Sequence, residues 1–289
     1  MMRTAFAFVA AGIALGLAQE SPKEPLFRTH VDRVRVDVLV TANDRVATGL
    51  SADDFQLLDN RVPQRLELLD RSGPVWLILV LDVSQSVDGE KLSRLREGCE
   101  AAVNHLEAGD QAALLTFAEE VSVAAPLSPR VDALLSALRT VPAGGRTALY
   151  DAVFTAVALV SRATTRILIV VFSDGQDTMS VLEPASVRDI VRTGNAVLYG
   201  VLTDVPADRQ HSLWLNDVSR DTGGRTLVAG APEKLSKVFL RILAEFRGRY
   251  VLTYVPTGVG RDDGWHEIDV SLRNTHGKLT TRRGYMASR

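Results

Sequence analysis

From Val31 onward the hydrophobic and polar positions alternate, then give way to continuous apolar runs separated by helical patterns, and finally alternate again. Val34, Val36, Val38 and Val40 fall on one side of a period-two repeat, with Arg33, Arg35 and Asp37 on the other. That pattern predicts a half-buried strand over 31–40. Asn43-Asp44 reads as a turn, 55–58 as a second strand and 66–69 as a third, with Pro63 placed at a sheet edge because it cannot donate to a ladder.

Arg71-Ser72-Gly73-Pro74 ends the alternation. Val75 to Leu81 is then an unbroken apolar run, the mark of a strand buried on both faces. Helical periodicity follows over 88–107, and short strands over 112–117 and 121–125. A helix comes next, capped by Ser128 with Pro129 at its first position. Helix over 147–162, buried strand over 166–172, helix over 183–193 and strand over 196–202 continue the alternation. Helix over 210–221 ending at Gly223-Gly224, strand near 225–228 and helix over 232–246 complete it. This order predicts an α/β fold: a doubly wound, mostly parallel six-stranded sheet with helices on both faces.

Beyond Arg249 the β pattern resumes at 250–255, at Ile268, Val270 and Leu272, and at 279–285. Neither end has enough strands for a stable layer alone. We therefore expect 26–70 and 249–289 to form one small β-sandwich, into which a domain over 74–247 is inserted.

Composition narrows the class. The 289 residues carry a formal net charge of -2 and are 46% hydrophobic, enough for packed cores and too little positive charge for a nucleic-acid binder. Residues 1–18 read as a signal peptide: Arg3, an apolar run from Ala5 to Leu17, and small residues before a cut at Gln19. The run is shorter than the roughly 20 residues of a spanning helix, so the expectation is export, periplasmic or extracellular. Retention of the segment as a membrane anchor is the alternative. The lone Cys99 lies in phase with Leu92, Leu95 and Val103, as a buried apolar residue would. Trp76, Trp214 and Phe239 are read as core residues.

Three loops carry the chemistry. Asp82-Val83-Ser84-Gln85-Ser86 follows the first buried strand, Gly144-Gly145-Arg146-Thr147 precedes a helix, and Ser173-Asp174-Gly175 follows the next buried strand. In an open α/β sheet, ligand sites form beyond the carboxyl ends of strands where the strand order reverses. Two carboxylates and three hydroxyls there are hard oxygen donors with little negative charge, a set suited to octahedral Mg²⁺ or Mn²⁺. The bland alternative is that the same residues only cap helices and turns. Asp177 is open to two readings, a tuning carboxylate or a plain loop residue. Enzyme signatures are missing: the five histidines show no zinc-ligand spacing, and there is no Gly-x-Ser-x-Gly elbow, Walker loop or dinucleotide fingerprint.

The stretch from about Val75 to Phe246 resembles a von Willebrand factor A domain, whose metal-ion-dependent adhesion site uses a D-x-S-x-S loop, a threonine and a second aspartate. The resemblance implies that Asp82, Ser84, Ser86, Thr147 and Asp174 form that site. Ser84, Ser86 and Thr147 or one aspartate would touch the ion, and the remaining carboxylate would act through water. A position left open would take an acidic side chain from a ligand. The flanks, with Gly49-Leu50, Asp53-Asp54-Phe55, Tyr250-x-Leu252-x-Tyr254-x-Pro256 and Gly284-Tyr285, are similar to exported bacterial proteins described as having a VWFA-related domain. The expectation is a non-catalytic, Mg²⁺-dependent binding protein of the cell envelope. The alternatives are a structural or assembly subunit whose metal only stabilises the fold, and an envelope hydrolase.

Overall fold

The computed structural model describes residues 33–70, 73–202, 209–229, 235–260, 264–273 and 276–287. The signal-type segment 1–18, residues 26–32 of the front segment and residues 232–234 of the last helix lie outside them. Among the described residues no helix is long and apolar enough to cross a membrane.

The front of the chain forms β1 (Val34–Ala42), β2 (Arg45–Val46), β3 (Phe55–Asp59), β4 (Val62–Pro63) and β5 (Glu67–Leu69). The central part runs β6 (Val75–Asp82), α1 (Glu90–Val103), β7 (Gln111–Phe117), β8 (Val121–Ser128), α2 (Asp132–Thr140) and α3 (Leu149–Leu159). It continues with β9 (Arg166–Ser173), α4 (Pro184–Thr193), β10 (Val197–Leu202), α5 (Arg209–Asp221), β11 (Thr226–Val228) and α6 (Leu235–Arg247). Four strands follow: β12 (Tyr250–Tyr254), β13 (Trp265–Leu272), β14 (Lys278–Thr280) and β15 (Gly284–Met286).

The central sheet has six strands in the order β11-β10-β9-β6-β7-β8. All neighbours are parallel except β7 and β8, which run antiparallel. The doubly wound, mostly parallel sheet read from the apolar runs is present. Period-two alternation sends the two faces of β6 into different cores. Leu77, Leu79 and Leu81 pack in one cluster with α1 and α6 residues such as Cys99 and Phe246, and Ile78 and Val80 pack in another with Ala152 and Val153 of α3. From β6 the chain moves to β7 on one side and later returns to β9 on the other. The order therefore reverses between β6 and β9, which places the crevice at their carboxyl ends.

The ends of the chain interleave in two further sheets. One has the order β14-β1-β12-β5 with β2 beside β1, and the other β15-β13-β3-β4. Val36 pairs with Leu252, and Leu57 with Val270. Val34, Val36, Val38 and Val40 share one apolar core with Phe55, Leu57, Leu252, Ile268 and Val270. Pro63 lies on β4, the edge strand, as its missing N–H requires.

Two local expectations need correction. Ser128 does not cap α2. It is the last residue of β8 and pairs with Ala112, its Oγ accepts a bond from the Arg130 amide at 3.1 Å, and Val131 stands at the helix start. The ladder therefore holds the serine backbone before a helix can begin. The strand expected over 279–285 is two strands in different sheets, β14 beside β1 and β15 beside β13. The break falls at Arg282, a buried residue whose guanidinium donates to the carbonyls of Gly284 at 2.6 Å and Arg192 at 2.9 Å. Its backbone bridges to Thr222 of the central domain, so it cannot continue either ladder.

Cys99 is fully buried and burial pushes its thiol well above the ordinary range. Phe239 stacks on Phe172 at 4.3 Å, Trp76 packs half-buried against a core, and Trp214 donates to the Pro184 carbonyl at 3.0 Å beside Tyr150.

Candidate metal centre

Strand β6 ends on Asp82, and its side chain is fully buried. One carboxylate oxygen accepts the Ser84 amide at 2.9 Å, and the other accepts the Ser173 hydroxyl at 2.8 Å. Both donors are neutral. Burial is the largest influence and pushes the Asp82 carboxyl up to about 6; the hydrogen bonds from Ser84 and Ser173 pull the other way, and the nearby charge of Asp174 adds to the rise. A carboxylate so placed is a ready partner for a cation.

Past Asp82 the chain turns through a 3₁₀ segment, Gln85–Val87, with Ser84 as its extended first residue. Ser84 is buried and Ser86 exposed. Their hydroxyl oxygens lie 3.1 Å apart. Adjacent ligands of an octahedral Mg²⁺ at about 2.1 Å should be about 3.0 Å apart. The pair therefore fits one edge of such an octahedron without rearrangement.

The second loop is stitched to the first through backbone. Gly144 N–H donates to the Val83 carbonyl at 2.8 Å, and Gln85 N–H to the Gly145 carbonyl at 3.0 Å. Gly145 has φ of +82°, a conformation open to glycine. Thr147 follows, buried at the approach to α3, with its amide donating to Thr178 Oγ1 at 3.0 Å. On the third loop, half-buried Asp174 accepts the Gln176 amide at 3.0 Å, and Gly175 takes φ of +86°. Asp82, Ser84 and Ser86 thus form one connected group. Thr147 reaches that group through the glycine loop, and Asp174 through Ser173 and β9.

Asp177 has another occupation. It accepts the Tyr150 amide at 3.2 Å and the Ser180 hydroxyl at 2.5 Å, so it satisfies an orphan N–H in the first turn of α3. Ser173 is the residue that pattern reading missed. It is buried, donates to Asp82 and accepts the Gly175 amide at 3.0 Å. The available signal was a hydroxyl as the last residue of an otherwise apolar buried strand. Among the described residues no group of three or more His, Cys, Asp or Glu could hold a metal, and the cluster here is mostly hydroxyl.

Residues 77–176 match the family model of the von Willebrand factor type A domain. No curated protein matches the chain in sequence. Among solved structures the chain is similar to a von Willebrand factor type A protein from Catenulispora acidiphila, at 14% identity and a TM-score of 0.54, over 86% of this chain and 75% of that one. It is also similar to an aerotolerance-related membrane protein from Bacteroides fragilis, at 14% identity and a TM-score of 0.51, covering 60% of this chain and 98% of that one. Proximal thread matrix protein 1 from the mussel byssus, described with a zinc-occupied MIDAS motif, is similar at 16% identity and a TM-score of 0.53, over 64% of this chain and 49% of that one. At these identities the likeness is one of fold.

Proposed function

We propose that this chain, whose residues 77–176 match the family model of the von Willebrand factor type A domain, is a non-catalytic binding protein that engages its ligand through a divalent cation held by Asp82, Ser84, Ser86, Thr147 and Asp174. The observation that carries the reading is the pair of hydroxyls 3.1 Å apart beside a buried carboxylate with only neutral partners. Mg²⁺ or Mn²⁺ suits this donor set, and the similar mussel protein is described with zinc in its MIDAS motif. Held mainly by neutral oxygens, the ion would supply an electrophilic centre for a carboxylate from a partner. Asp82 anchors the charge, Ser173 orients Asp82, and the Gly144–Gly145 loop brings Thr147 to the same end of the sheet.

The three loops are already joined by protein–protein hydrogen bonds, which favours an ion used for binding over one needed only to fold the domain. Placement in the cell envelope rests on the signal-type segment 1–18. Titration calorimetry with Mg²⁺ and Mn²⁺ should give one site that Asp82→Ala removes. Capture from an envelope extract with Mg²⁺, and again with EDTA, should yield a partner only when the ion is present. Partner retention in EDTA would overturn the reading, and so would turnover of an ester, peptide or glycan that Ser84→Ala and Ser86→Ala abolish.

A further inference from the structure

One large apolar side chain near the site is held firmly yet packs against little. Val181 is 88% exposed, the most exposed of the large hydrophobic residues described, and Met179 is 37% exposed. The loop that carries them is tightly bonded. Thr178 and Met179 amides donate to the Thr147 carbonyl at 2.8 and 3.0 Å. The Val181 and Leu182 amides each donate to the Asp151 carboxylate at 2.9 Å. Ser180 N–H donates to Asp177 at 3.2 Å. A loop whose backbone is already fixed loses little entropy when a ligand covers its side chains.

The same bonds fix the apolar pair relative to the metal centre. Met179 is bonded to Thr147 itself, and Val181 is two residues on, at most about 7 Å of chain. Arg146, the neighbour of Thr147, lays its guanidinium against the Met179 sulfur. The rim therefore offers the cation site, a guanidinium and two apolar side chains in sequence.

We propose that the 176–182 loop is a second recognition element, and that the ligand is a protein segment bearing one carboxylate with an apolar side chain within about two residues of it. This rests on the reading of the hydroxyl cluster as a cation site. The charge complement is direct: the cation takes the acidic group, the Arg146 guanidinium beside Met179 adds positive charge to the rim, and Met179 and Val181 receive the apolar group. A fatty acid also joins a carboxylate to apolar surface. However, Gln85, Gly144, Gly145, Gln176 and Thr178 around the site are all exposed, and an alkyl chain needs an enclosed apolar pocket. A side chain docking on an open rim does not.

The test uses two labelled peptides with one Asp each, one in a Gly/Ser background and one with Leu two residues away on both sides. Binding is read by fluorescence anisotropy in Mg²⁺ and in EDTA. The Leu-bearing peptide should bind about tenfold more tightly in Mg²⁺. Met179→Ser/Val181→Ser should abolish that preference and leave Mg²⁺ affinity, read by calorimetry, unchanged. Equal affinity for the two peptides, a preference that survives the double variant, or binding of decanoate in place of peptide would each overturn the proposal. Absence of peptide binding with metal affinity intact overturns this ligand class alone. Absence of metal binding by the wild-type chain overturns the cation reading beneath it.

Discussion

Two fully buried aspartates, Asp59 in the flanking sheets and Asp82 at the end of β6, show how the same side chain serves different ends. Asp59 stands where four strands meet. Tyr254 and Tyr285 donate their hydroxyls to it at 2.8 and 2.9 Å, and His266 Nδ1 lies 2.9 Å from its other oxygen. Tyr254 lies on β12 in one sheet and Asp59, His266 and Tyr285 in the other, so the cluster bolts the two layers together. Burial raises both phenols well above their ordinary range, which keeps them as donors. Asp82 instead has donors from two residues only, Ser84 and Ser173, and beyond them a pair of hydroxyls leading to an exposed loop. A carboxylate enclosed by donors from every side is structural. One left short of compensation beside open oxygen ligands is a candidate site.

The largest effect should come from removing the strands that complete the flanking layers. A chain ended after Phe246 lacks β12 to β15. Strand β1 then loses both β12 and β14 as neighbours, and β3 loses β13. Hydrogen exchange should find β1 amides unprotected while β6 and β9 keep their protection. A fragment over 74–247 should stay folded. Continued protection of β1 in the shortened chain would mean that the two ends are independent layers.

Next in size is Asp59→Ala, which strands two phenol hydroxyls and an imidazole in the interior. A loss of about 3–5 kcal/mol is expected in denaturant unfolding, with Mg²⁺ affinity of the folded protein intact. A loss below about 1 kcal/mol would remove the structural side of the comparison.

Asp82→Asn should behave in the opposite way. In the metal-free protein the folded carboxyl titrates at about 6, raised from 3.8 by burial. A raised acid favours folding below its unfolded value and loses that contribution as pH rises through the folded one. Between pH 4 and pH 7 in EDTA, stability of the wild-type chain should therefore fall, by up to about 3 kcal/mol from this group. The Asn variant should lack that component and bind no Mg²⁺. Parallel stability–pH curves for the two proteins would sink the assignment.

The legible and illegible parts of the molecule divide along physical lines. Strands β6 and β9 were readable because burial on both faces demands continuous apolar sequence, as Val75–Leu81 shows. The D-x-S-x-S loop was readable because its donors are close in sequence. The Asp59 cluster was not, since its members come from residues 59, 254, 266 and 285 and meet only when β3, β12, β13 and β15 pair. The split of β14 from β15 was hidden because Arg282 looks like a surface residue until the central domain covers it. Ser128 misled because a serine before proline is a good cap locally, and the ladder with β7 overrode it.

The smallest expected effect tests the loop that joins the hydroxyls of the candidate metal centre. Gly145 sits at φ of +82°, where a side chain is strained, and a Cβ there would come 3.1 Å from the Glu119 side chain. Glu119 is exposed and its unbranched side chain has room to rotate away from the new Cβ, so Gly145→Val should be tolerated by the fold at about 1–2 kcal/mol. The strain would act on the carbonyl that accepts the Gln85 amide, and through it on the spacing between Ser86 and Thr147. Asp82 and Ser84 are held by their own bonds to Ser173 and to each other, and they do not depend on this loop. Mg²⁺ affinity should thus fall only a few-fold, while carboxylate binding, which needs all the hydroxyls in register, should fall further. Calorimetry for the ion and anisotropy for an acidic peptide separate the two. If both affinities drop by the same factor, the glycine loop holds the ion itself, and Thr147 is as essential to the metal centre as Asp82.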